Sequence, residues 1–221
     1  MIQNNGNLTI TNTIIKNNHI NLTGFDSSSY GGAINNNGTL TIKDSNLTQN
    51  TVTGDYYASG GAINNEGTIN INNTNLNYNN AAWSGGAINN NGTLNIYNSN
   101  LAGNNATNGG AISGFTNSNI TLTQSNLTRN NATLGGAIYD HTPLYLNNKV
   151  VLFNSTFTEN KAENGTVICN LGENGRYDIT YNTFKNNRAT ADKETVNLGP
   201  KNRERIVKEN RYDNTDISLK Q

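Results

Sequence analysis

Two short motifs recur in phase along this chain, and that recurrence limits the fold more than any other feature. The tetrapeptide GGAI stands at 31–34, 60–63, 85–88, 109–112 and 135–138, with a degenerate copy, GTVI, at 165–168. After each copy comes an alternating segment such as TLTI ending at Ile42, TINI at Ile71 or TLNI at Ile96. Five residues further on, an apolar residue is followed after two intervening residues by Asn, as in LTQN ending at Asn50, LNYN at Asn79, LAGN at Asn104 and LTRN at Asn130. FTEN at Asn160 and FKNN at Asn187 continue the series, and IKNN at Asn18 opens it. The seven closing Asn residues are 32, 29, 25, 26, 30 and 27 positions apart, and the series Leu8, Leu40, Ile69, Leu94, Ile120, Val150, Tyr177 has the same separations. The segment between these two marks therefore keeps one length, and all length variation falls in loops. That is the signature of a solenoid of fixed cross-section with loops on its corners.

Each repeat contains three short stretches of period-2 alternation and none of period 3.6, so the elements are strands. Three strands per coil, stacked on the next coil, predict an all-β chain: a right-handed parallel β-helix of about seven coils, its hand set by the crossover rule. Three inward ladders follow. One runs Ile34, Ile63, Ile88, Ile112, Ile138, Ile168; a second runs Ile10, Ile42, Ile71, Ile96, Leu122, Leu152, Ile179; a third runs Ile15, Leu47, Leu76, Leu101, Leu127, Phe157, Phe184. The 49 Asn and 27 Thr suit such thin layers, Thr on the pleat and Asn in the bends. The closing Asn residues are expected to stack at one corner and hydrogen-bond from coil to coil. The loop after each closing Asn has 12, 9, 5, 4, 4 and 4 residues, and later coils carry their insertions on a different edge. Beyond about residue 188 charges accumulate, Gly becomes rare and Pro200 stands in the way of a strand. The organisation is thus read as a repeat domain over 1–198 and an irregular cap or linker over 199–221, in a chain that is a piece of a longer protein.

The paired motifs resemble the polymorphic outer membrane protein repeat, GGA followed by Ile, Leu or Val and then FxxN. FTEN at 157–160 and FKNN at 184–187 match the second motif, and the earlier copies place Leu or Ile where it has Phe. With the extreme Asn and Thr content, the chain is similar to the adhesin-like surface proteins of methanogenic archaea. The segment at 208–220 resembles the junction that follows the β-helix in those proteins. The resemblance covers about residues 6–198 and implies a cell-surface or extracellular location and a role in attachment. The implied partners are glycans or surface proteins of other cells, with the chain a monomeric part of a larger multidomain protein.

β-Helices also carry polysaccharide lyases and hydrolases, which cleave with clustered carboxylates and cations. Residues 1–187 contain nine acidic and seven basic groups, and these are read as sharing no coil position on neighbouring rungs. Asp140-His141 is the best pair and reads as a polar loop tip; His19 reads as a solvated loop residue. Cys169 reads as a packed or half-exposed thiol without catalytic duty. Two His and one Cys make no zinc site of usual composition, and the glycine pairs precede strands rather than helices, so no metal, cofactor or phosphate loop is expected. A formal net charge of zero disfavours nucleic acid, and no run of 18 apolar residues enters a membrane. The expectation is therefore a non-catalytic adhesin-like module, weighed against a glycan-cleaving β-helix and a purely structural stalk.

The candidate ligand contacts are the aromatics of the early loops just before GGAI: Phe25, Tyr30, Tyr56, Tyr57 and Trp83. Loops leaving one corner on successive rungs place them side by side, and aromatic faces suit sugar rings and protein surfaces. A weaker candidate is the later edge with Phe115, Tyr139, His141 and Tyr145. Twelve N-x-S/T sequons occur. The glycosylation candidates taken from them are Asn21, Asn46, Asn91, Asn105, Asn126, Asn131 and Asn154.

Overall fold

A computed structural model describes residues 1–22, 30–54, 57–142, 147–172, 174–190, 195–198, 204–213 and 215. Among them there is no helix, and three sheets of eight strands each, stacked in chain order, make a parallel β-helix of about seven turns. One coil shows the plan: Ile88–Asn90 lies in the first sheet, Thr93–Tyr97 in the second and Asn100–Ala102 in the third. Each strand pairs with its equivalent one coil away, so identical residues stack. Ile34, Ile63, Ile88, Ile112, Ile138 and Ile168 are successive register partners and have no exposed surface.

The second sheet turns two residues per strand inward, Leu94 and Ile96 in this coil, and the third turns one, Leu101. Ladder positions hold similar residues because a coil stacks on its copies. Each such side chain contributes about 1.5–3 kcal/mol on burial. The core is thin, and repetition along the axis supplies its strength.

The bends would strand backbone N–H groups inside the stack, and polar ladders satisfy them. At the third corner the closing Asn residues from Asn50 to Asn187 are fully buried. The Asn104 Oδ1 accepts from Asn79 N (2.9 Å) and Asn79 Nδ2 (3.2 Å), while its own Nδ2 donates to Asn130 Oδ1 (3.0 Å) and Leu76 O (2.9 Å). At the second corner hydroxyls do the same: Ser99 N donates to Ser125 Oγ, and Ser125 N to Ser155 Oγ, both at 3.1 Å. Asn73 (φ 47) and Asn98 (φ 45) turn that corner in the left-handed region, which Asn tolerates better than most residues. The GGAI pair divides two tasks. Gly85 takes φ +63, and a Cβ on Gly86 would lie 2.1 Å from the carbonyl oxygen of Gly110 on the next rung.

The structure departs from the sequence reading in three places. First, the segment after the closing Asn begins as a short strand and not as a loop on the first three rungs. His19–Leu22, Thr51–Gly54 and Asn80–Ala81 form a fourth sheet, so His19 starts a strand, although it is exposed. Second, the first sheet starts before the first GGAI, with Ile2–Asn4 under Ile34–Asn36. Third, the stack continues past residue 198: Glu204–Lys208 and Arg211–Asp213 extend the second and third sheets. Their charges hide a register that still works, because Val207 pairs with Ile179 and Tyr212 stacks on Phe184 at 5.1 Å. Asn210 meanwhile accepts from Asn182 N at 2.9 Å, as the ladder requires.

Truncating one closing amide tests the corner ladder. Asn104→Ala leaves the buried Asn79 N–H without its partner and removes the bond to the Leu76 carbonyl, and an unsatisfied buried group costs about 1–3 kcal/mol. Urea denaturation should show a loss of several kcal/mol for Asn104→Ala. The exposed Asn126→Ala should stay within about 0.5 kcal/mol of the parent. Equal midpoints for the two variants would refute the ladder's role.

Candidate functional site

Beyond the closing Asn the chain makes one more inward step, and the size of the residue there decides the surface. In early rungs the step is large: Val52 is buried together with Ala58, and Ile20 and Tyr30 pack against them. From the third rung it is Ala81, Ala106, Ala132 and Ala162, all buried, while the loop to GGAI shortens. Small residues under a short loop leave a groove of about 460 Å³ along the axis. Alanine makes its floor. One wall is the column Asn80, Asn105, Asn131 and Lys161, joined rung to rung by parallel bridges; the other includes Ala82, Thr107, Thr133, Glu163 and Thr190.

The Asn wall is ordered by its own ladder. Asn105 Nδ2 donates to Asn80 Oδ1 and Asn131 Nδ2 to Asn105 Oδ1, both at 2.9 Å. Each bond uses one of the two amide hydrogens, so Asn105 and Asn131 keep a second donor for a ligand. The wall thus offers polar groups at the rung period, roughly 4.8 Å. A charged pair lies beside its Lys161 end, outside the groove, and there charged groups do recur at one coil position on neighbouring rungs, as Lys149 and Arg176 also do. Arg129 Nε donates to Glu159 Oε2 at 2.6 Å; this pair holds the Glu159 carboxyl below its usual range and raises the Arg129 guanidinium.

Of the aromatics singled out in the sequence, Trp83 stands next to the wall residue Ala82 and Tyr57 one rung before it; both are exposed and neither lines the groove. Trp83 follows Ala82 in the wall, is 44% exposed, and donates its backbone N–H to Ala58 O at 2.9 Å. Tyr57, 52% exposed, lies just before Ala58 on the neighbouring rung. Tyr30 does not belong with them: it is half-buried against Val52 and Ala58, where it covers the second apolar cluster. Phe25 and Tyr56 lie outside the described residues. The groove itself escaped sequence reasoning because its signal is an alanine. Asn-Ala-Thr at 105–107 and 131–133 reads as a sequon, yet in the fold the same three residues are wall, floor and opposite wall.

The weaker candidate edge is a packed cluster. Tyr139 is buried, stacks on His141 with centroids 6.1 Å apart and meets Phe115 edge-on at 6.0 Å; burial pushes its phenol up to about 12. Tyr145 lies outside the described residues. Cys169 is fully buried. The sequon residues Asn21, Asn46, Asn105, Asn126, Asn131 and Asn154 are exposed, whereas Asn91 is half-buried with its Nδ2 donating to Glu66 Oε1 at 2.8 Å.

Asp140 is not a loop tip. It ends the strand Ile138–Asp140, is fully buried, and stands in a first-corner column that elsewhere holds Asn36, Asn65 and Asn90. Oδ1 accepts from Asn148 Nδ2 (2.6 Å), and Oδ2 accepts from Tyr177 OH (2.5 Å), Asn170 Nδ2 (3.0 Å) and Thr142 Oγ1 (3.2 Å). Burial nevertheless raises its carboxyl above the usual range, and burial with the Asp140 charge raises the Tyr177 phenol well above its own. A sealed acid with four donors is a structural joint, not a reacting group. Among the described residues no group of three or more His, Cys, Asp or Glu side chains could hold a metal ion, and no helix is long and apolar enough to cross a membrane. No protein-family model, no curated protein and no solved structure matches the chain.

The Asp140 joint gives a pH prediction. Its folded pKa lies above the unfolded value of about 3.9, so the folded state binds the proton more tightly and this group's contribution to stability falls as pH rises from about 4. Asp140→Asn, the residue its column uses elsewhere, removes that slope. Denaturation midpoints of parent and variant should diverge in the variant's favour as pH climbs from 4 towards neutrality; parallel curves would contradict the assignment.

Proposed function

We propose that this chain is a non-catalytic recognition module of an adhesin-like protein, displayed outside the cell, that takes up a linear glycan along the solenoid axis. The observation that carries this reading is the groove. It repeats one polar wall group and one alanine per rung, and a polymer of identical units is the ligand that a repeating site fits. Amides with a spare donor match sugar hydroxyls, the alanine floor suits the C–H faces of the rings, and Trp83 and Tyr57 offer aromatic surface at one end. The resemblance of the GGAI and FxxN motifs to surface-protein repeats supports the same location and role.

A glycan array tests it. The parent chain should retain linear glycans, and the Tyr57→Ala, Trp83→Ala double variant should lose about tenfold or more in affinity with an unchanged melting temperature, since both rings are exposed. Product release from any retained glycan would favour the cleaving enzyme instead. An array without a single retained glycan would leave a stalk or a protein-binding role.

A further inference from the structure

The exposed column beside the groove breaks its own rule at one place. Asn80, Asn105 and Asn131 bond along the column, and the next two positions are Lys161 and Arg188. These two are direct register partners on adjacent parallel strands, Lys161–Ala162 and Arg188–Ala189. Like charges directly opposite each other in a sheet are destabilising. Both side chains are exposed, and among the described residues neither has an ion-pair partner. Arg129 is committed to Glu159, and Glu163 stands across the alanine floor from Lys161. Asparagine at both positions would have continued the ladder without repulsion. The stack of cations is a local cost that no ion pair among the described residues repays, although the Lys161 charge acts on Glu159 from a distance.

A second hollow of about 620 Å³, lined by Arg129, Glu159, Lys161 and Arg188, flanks the other side of this ridge, so both cations are approachable. We propose that the ridge selects an acidic linear glycan, one carrying carboxylates on successive sugars, so that one carboxylate meets each cation at roughly 4.8 Å rung spacing. This rests on the reading of the groove as a glycan site and names its substrate class. The rest of the ligand then runs over Ala132, Ala106 and Ala81 towards Trp83, with its hydroxyls on the Asn wall. No aromatic ring lines the floor on which nucleic-acid bases could stack.

Calorimetric titration of the full chain with a mannuronate tetramer, a neutral cellotetraose and single-stranded oligothymidine decides it. The acidic tetramer should bind about tenfold more tightly than the neutral one at low ionic strength, an advantage that shrinks with added salt. In Lys161→Asn, Arg188→Asn that advantage should disappear. Thr133→Glu, which adds a negative charge on an exposed wall residue with no side-chain bond to lose, should weaken the acidic tetramer in a chain that melts like the parent. Equal affinities for the two tetramers in the parent would overturn the carboxylate preference while leaving the glycan groove intact. Tetramer binding indifferent to Thr133→Glu would move the acidic site elsewhere and overturn the proposal. Binding of neither tetramer would remove both readings, and preferential binding of oligothymidine lost in Lys161→Asn, Arg188→Asn would make the ridge a nucleic-acid contact.

Discussion

The structure depends on one arrangement, a buried amide at each bend that bonds to its copies above and below. A solenoid must turn its chain at every corner, and a turn inside a stack removes backbone groups from water with no sheet partner beside them. Asn meets this demand because its side chain carries an acceptor and two donors, enough to serve the previous rung, the next rung and a carbonyl at once. At Asn79, Asn104, Asn130 and Asn160 the same set of bonds recurs within 2.8–3.2 Å. The composition that looks too polar for a folded chain is therefore the composition this fold needs.

Once the interior is fixed by copies of itself, only the corners and outer columns can differ between rungs. The groove shows how small a difference suffices. Exchanging Val52 for Ala81 at equivalent positions, with a shorter loop, turns a filled corner into an open channel. The same loops that shorten over the later rungs carry Tyr57 and Trp83, both exposed, on the earlier ones. The exposed face of this rod is written in the residues that the core does not constrain.

That division also explains what could be read in advance. The ladders were legible because burial forces repetition: the GGAI isoleucines and the closing Asn residues occupy the places their spacing implies. Legibility failed where identity and role part company. Val207 and Tyr212 continue the core inside a charged segment whose composition resembles a linker, because two inward side chains are enough to hold a strand pair in register. Tyr30 was grouped with exposed aromatics by its loop position, but Val52 beside it offers an apolar surface that only a packed ring can cover. The alanine floor gave no signal, since an Ala in a loop looks neutral until its neighbours on adjacent rungs are known to be alanines too.

Asp140, Lys161 and Arg188 stand where their columns elsewhere hold Asn, and comparing them separates structure from function. Asp140 sits inside the first corner, where Gly114 has made room on the rung before: a Cβ there would come within 2.4 Å of Ser118 Oγ, which itself accepts from Asn90 Nδ2. Tyr177 replaces the aliphatic residue of its own column, and its hydroxyl reaches Asp140. The substitution is answered on every side by donors within the chain, so Asp140 asks for nothing from outside. Lys161 and Arg188 present the opposite case. Their column carries no acid among the described residues, each repels the other, and Glu159, which shares a hollow with them, is bound to Arg129. A charge that the fold compensates is part of the fold; an exposed pair with no ion-pair partner among the described residues is where a partner has the most to add.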